Sequence, residues 1–152
     1  MAEKDQIAGK TFESLEAMML AYAEEAVRIA ERDHGMNLDF SPESVSQLET
    51  VLAARSPIAD DSIEHETKLW GGYFGEIFRR RYGAEWIMAI YPDSTRQASG
   101  GELAMPALDI RGSQLYPLLK IQRRLTMGPS EDLAAFFARV STALDARIEE
   151  SK

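Results

Sequence analysis

Glu85-Trp86-Ile87-Met88-Ala89-Ile90-Tyr91 is the stretch on which the fold turns. On either side of it, apolar residues recur every three or four positions, the period of an amphipathic helix. Within it, aromatic and β-branched residues stand side by side, the composition of a strand. The run is apolar on both faces, which predicts a well-covered strand. A polar stretch follows from Pro92 to Gly101, containing Ser99-Gly100-Gly101. Ala107-Leu108-Asp109-Ile110 then reads as a second strand, and Pro106 before it suits an edge or a strand start. Two strands joined by a long loop make a β-hairpin.

Working outward, the flanks supply helices. Towards the N-terminus, Asp60-Asp61-Ser62 opens a third helix, with Asp61 and Glu64 spaced as a capping box and Gly83 as its stop. Ser41-Pro42-Glu43 starts a second helix by a capping serine and a first-turn proline. That helix ends near Arg55, because Pro57 disfavours helix at Ser56. A first helix is capped by Thr11, carries Glu13 in its first turn, and stops at Gly35. Towards the C-terminus, Gly112-Ser113 turns into a fourth helix over about Gln114–Met127. A fifth begins at Pro129-Ser130-Glu131, with Leu133, Phe136, Phe137, Val140, Leu144 and Ile148 as its apolar stripe. Residues 1–10 read as a flexible leader, and 11–150 as a single domain without internal repeat or linker. The expectation is an α+β fold of about five helices around a small antiparallel β-hairpin.

Composition limits the function. The 152 residues are 45% hydrophobic, enough to bury a core, yet no run reaches the length of a membrane span. The first residues lack the basic and apolar regions of a signal peptide. With no cysteine, thiol catalysis and thiolate zinc sites are excluded. The expected setting is cytoplasmic, with no membrane partner. The formal net charge of −8 opposes binding to nucleic acid and favours a basic partner.

The most unusual chemistry lies in Trp70-Gly71-Gly72-Tyr73-Phe74-Gly75-Glu76. Three glycines in a helical pattern each cost about 1 kcal/mol against alanine, so something must offset them. Close helix packing does so. A phosphate loop would need a strand before it, and none precedes it. Glu76, one turn from Gly72, is either a buried acid or base beside Tyr73, or half of an ion pair with Arg80 or with a cation on another helix. Arg79–Arg81 and the Lys120, Arg123, Arg124 group either receive an anion together or complement helix dipoles. Asp61 and His65 share a helix face, but two ligands do not make a metal site. No Gly-x-Ser-x-Gly elbow is present. Trp70, Tyr73, Glu76, Arg80, Trp86, Lys120 and Arg124 are therefore the candidate ligand- or partner-binding residues. No catalytic residue is assigned, and neither a cofactor nor a metal is expected.

Several of these pieces occur together in one family pattern. They are Gly71-Gly72-Tyr73-Phe74-Gly75-Glu76, Gly83-Ala84-Glu85-Trp86, Pro106-Ala107-Leu108-Asp109-Ile110, Pro117 through Lys120 to Arg124-Leu125, and Gly128-Pro129-Ser130-Glu131-Asp132-Leu133, within a likeness that covers roughly residues 36–137. The chain resembles a family of small bacterial proteins of unknown function, built on a Gly-x-Tyr-x-Gly-Glu helix, a Gly-x-x-Trp strand and a Pro-x-x-Lys-x-x-x-Arg-Leu helix. It departs from that pattern where Asp132 is followed directly by Leu133, without the family's intervening serine. The resemblance implies no reaction. By analogy with other small acidic bacterial proteins, it implies an immunity-like role against a toxin.

The leading expectation is thus a non-enzymatic protein-binding domain, with a basic protein as partner. The first alternative is a small-ligand binder or enzyme with a pocket around Glu76 and Tyr73. The second is a homodimer formed through Met18, Met19 and Tyr22 on an apolar helix face.

Overall fold

In the computed structural model, residues 3–4, 11–12, 14–90 and 104–150 are described. Ten elements follow in order: β1 (Glu3–Lys4), β2 (Thr11–Phe12), α1 (Leu15–His34), α2 (Ser44–Arg55), α3 (Ile63–Tyr82), β3 (Glu85–Ile90), β4 (Ala104–Ile110), β5 (Ser113–Leu115), α4 (Pro117–Met127) and α5 (Leu133–Glu150). The class is α+β, with five helices and a three-stranded antiparallel sheet of order β3-β4-β5.

The starts of the helices differ most from expectation. Thr11 does not cap α1, because it lies in β2, paired with Lys4. Ser14 is the cap, its hydroxyl accepting from the Ala17 N–H at 3.0 Å. Glu13 and residues 5–10 of the expected leader lie outside the described residues. The Ser41 hydroxyl accepts from the Ser44 N–H at 3.2 Å, but Pro42 and Glu43 form a turn, the helix starts at Ser44, and its cap position is Glu43, which makes no side-chain capping bond. Asp61 makes no capping bond to α3. Asp132, not the Pro129-Ser130-Glu131 turn, caps α5, accepting from the N–H groups of Ala134 and Ala135. The helix stops agree with the sequence: Gly35 and Gly83 each close a helix in the left-handed conformation.

The sheet has one more strand than the expected hairpin. Arg111 and Gly112 both take positive φ, at 51° and 88°, the pair of values that a two-residue type I′ turn demands. Gln114 and Leu115, expected as helix, therefore fold back within β5, Tyr116 takes the cap position of α4, and that helix starts at Pro117. Pro106 sits within β4, opposite Met88. Because β5 pairs only with residues 108–110, β4 has a single neighbour at Pro106 and loses no second ladder bond there. The expectation that β3 is covered on both faces holds only in part: Trp86 and Ala89 are buried, but Met88 is 55% exposed. The 92–101 loop lies outside the described residues.

The core is one continuous cluster drawn from all five helices and the sheet. At its centre, α1 and α3 pack antiparallel, with Glu16 at the start of α1 reaching Arg79 near the end of α3. Met18, Met19 and Tyr22, expected on a dimer face, are buried in this core. The sheet lies across the helices, with β3 against α1, and β4 against α3 and α4.

Candidate functional site: the glycine helix and its carboxylate

Helix α3 is buried on every side from Leu69 to Phe78. Only a helix with missing side chains can be approached by so many neighbours. A Cβ on Gly71 would stand 2.8 Å from the Leu118 side chain and 2.9 Å from its Cα, so α4 uses that gap. A Cβ on Gly72 would stand 3.1 Å from the Met19 carbonyl of α1, and one on Gly75 would strike the Trp86 ring of β3. The three glycines thus face three different elements. This is the close packing that offsets their cost in helix propensity.

Beside Gly75, Glu76 has no exposed surface. Its Oε1 accepts from Arg79 Nε at 2.5 Å and from Trp86 Nε1 at 3.4 Å. Its Oε2 accepts from Arg79 Nη2 and Arg80 Nε, both at 3.1 Å. Burial alone pushes the Glu76 carboxyl upward, but the hydrogen bonds and charge of Arg79, with the bonds from Arg80 and Trp86, outweigh it. The net direction is below the ordinary glutamate value, so the group is ionised at neutral pH. A saturated, ionised carboxylate has neither a proton to give nor a free lone pair to receive one.

Arg80 extends the arrangement outward, its guanidinium lying 3.8 Å from the centre of the Phe40 ring. Phe40 holds an unusual positive φ of 65°. Its N–H donates to the Tyr73 hydroxyl at 2.8 Å, and its ring packs against that of Tyr73. The Ser44 hydroxyl donates to the Ser41 carbonyl, so in its 2.7 Å contact with Tyr73 it must accept the phenolic proton. Burial raises the Tyr73 pKa, keeping it a phenol. Tyr73, Glu76, Arg80 and Trp86 therefore form one network around the glycine helix.

The other candidates lie elsewhere. Trp70 donates to Glu66 Oε1 at 2.9 Å, and Arg55 grips the same carboxylate from α2 at 2.6 and 2.8 Å while contacting His34 Nε2 at 3.1 Å. Lys120 pairs with Glu131 at 3.1 Å and lies over Phe136. Arg124, 2% exposed, is held by Glu49 on α2 through its Nε at 2.7 Å and its Nη2 at 2.5 Å. The two basic runs hold separate carboxylates: Arg79 and Arg80 share Glu76, Arg81 lies 3.9 Å from Asp145, Lys120 pairs with Glu131 and Arg124 with Glu49. His65 meets the edge of the Tyr22 ring, and no metal-holding cluster occurs among the described residues.

Sequence reasoning missed Arg79, Glu66, Arg55 and Glu49 as key partners. The i,i+3 spacing of Glu76 and Arg79 was a usable signal. The Arg55–Glu66 and Glu49–Arg124 pairs join different helices and left no local trace.

Two concavities are described. One of about 290 Å³ lies between β5 and α5, lined by Ile110, Leu115, Val140, Leu144 and Arg147. One of about 390 Å³ lies at the ends of α2 and α4, lined by Ser56, Pro57, Arg124 and Met127. Neither is lined by Glu76 or Tyr73. No described helix is long and apolar enough to cross a membrane. Compared with known proteins, the chain matches no family model and no solved structure.

Proposed function

We propose that this chain is a non-enzymatic binding protein whose acidic exterior engages a basic protein. The sorting of charge carries this reading. Glu49, Glu66 and Glu76 are consumed by Arg124, Arg55, Arg79 and Arg80 inside the fold. Glu24, Glu31, Glu43, Asp60 and Glu85 remain exposed. An anion-binding role for the basic runs lacks support, because Arg79, Arg80, Lys120 and Arg124 already hold carboxylates. A pocket at Glu76 and Tyr73 also lacks support, because both groups are saturated by their neighbours. The bacterial, immunity-like and cytoplasmic setting implied by the resemblance belongs to the same proposal.

The test is retention of native-host proteins on the immobilised chain at low salt, followed by titration of a purified retained protein. Binding by a basic protein, falling steeply with salt, is expected. Failure to retain any basic protein at low salt would sink the reading.

A further inference from the structure

Two acidic side chains are brought together on the sheet. Glu85 and Asp109 stand directly opposite each other across the β3–β4 ladder, so both side chains project from the same face. No hydrogen bond or ion pair of either carboxylate is found among the described residues. The contrast with Glu49, Glu66 and Glu76, each gripped by arginine, is marked.

The same strand carries a second feature. β3 lies at the outside of the sheet, and among the described residues nothing pairs with its outer edge. Such edges are usually blunted by lysine, proline or a bulge. β3 has none of these between Glu85 and Ile90. On the face opposite Glu85, Met88 is 55% exposed, although Trp86 on that face is covered by α3.

We infer that the outer edge of β3 receives an extended segment of the basic partner as an added strand, so this inference rests on the binding reading above. Backbone hydrogen bonds supply the pairing, and alternation along the added strand supplies the specificity. On one face a lysine or arginine meets Glu85, its direct cross-strand neighbour, and Asp109, one strand further in on β4, adds to the same negative field. Apolar side chains on the other face meet Met88. Charge complementarity selects this occupant over a second copy of the chain, whose β3 would bring a second Glu85, backed by Asp109 on β4, to the same edge.

The test uses the full chain and a blocked hexapeptide alternating lysine and valine. Saturable binding is expected, with slowed hydrogen exchange at the β3 amides. The double variant Glu85→Gln/Asp109→Asn should weaken binding by about fivefold, from the loss of one direct cross-strand charge pair at Glu85 and of the longer-range attraction of Asp109. Met88→Lys should weaken it as well. Both variants alter exposed or half-buried side chains, so thermal midpoints no lower than wild type are expected and serve as the folding control, with a small rise in the double variant as the Glu85–Asp109 repulsion is removed. A peptide N-methylated at alternate residues cannot donate to the ladder and should not bind. Equal binding by that peptide, equal binding by the double variant, or no binding at millimolar peptide would overturn the inference. So would a wild-type dimer that Met88→Lys converts to monomer, since the occupant would then be a second copy. A basic protein from the host that binds both variants as tightly as wild type would overturn this inference and leave the binding reading standing. Retention of no basic protein would remove both.

Discussion

Glu76 shows how an ionised group can sit in a core: four hydrogen bonds from three side chains reach its two oxygens. Arg79 and Arg80 keep part of their surface in water, so they can resolvate if the carboxylate is lost, whereas Trp86 Nε1 cannot. Glu76→Ala should therefore cost about 2–4 kcal/mol, through the cavity and the stranded indole N–H, as read by urea unfolding. Tyr73→Phe should cost about 1–2 kcal/mol, because the Phe40 N–H and Ser44 Oγ both lose a partner. The pH dependence follows the same groups. Burial raises Glu66 and Glu76, but their arginine and tryptophan partners lower them further, to a net value below ordinary glutamate. The unfolded chain then binds protons first as pH falls. The stabilisation is complete above the ordinary glutamate range and is lost through and below it. Thermal midpoints should hold steady from pH 7 to about 5 and fall below that, less steeply in Glu66→Gln. Of this chemistry, the sequence displayed the i,i+4 pair with Arg80, because that contact lies within one helix. The grip of Arg55 on Glu66 was invisible, because it depends on how α2 and α3 meet.

Helix α3 is legible in sequence as an anomaly, and the structure supplies the cause. Gly71 and Gly75 leave no room for a methyl group. An added Cβ would lie 2.9 Å from the Leu118 backbone in one case and 2.5 Å from Trp86 Cζ2 in the other. Alanine at either position gains about 1 kcal/mol of helix propensity but forces α4 or the Trp86 ring to shift. A net loss of roughly 1–3 kcal/mol is expected for each. Gly72→Ala, with its nearest contact at 3.1 Å, should be milder. Denaturation midpoints in that order would confirm the packing role, whereas stabilisation by Gly75→Ala would refute it. The long periodic helices and their glycine stops were readable because each is a local signal repeated over many residues. β5 was not, because three residues carry no period. The clue lay in Arg111-Gly112, where φ of 88° at Gly112 makes Gly112→Ala cost about 1 kcal/mol.

The molecule is held together by ties between elements distant in sequence. Arg124 on α4 bonds Glu49 on α2, and the other oxygen of Glu49 accepts from the Leu133 N–H at the start of α5. One carboxylate thus fixes three helices. Trp70 is tied through Glu66 to α2, and Trp86 through Glu76 links the sheet to the same α3 helix. Because α3 runs unbroken between these two tethers, neither the sheet nor the α1–α2 end can loosen without disturbing the shared helix. The chain's only two tryptophans therefore report opposite sides of one structure. Trp70→Phe leaves Trp86 to report the sheet, and Trp86→Phe leaves Trp70 to report the α2–α3 contact. Within each variant, urea transitions by fluorescence and by far-ultraviolet circular dichroism should coincide, as for a single cooperative unit. Separation of the Trp86 fluorescence transition from the helical signal would show instead that the sheet unfolds on its own, and that the Glu76–Trp86 contact does not couple it to the helices.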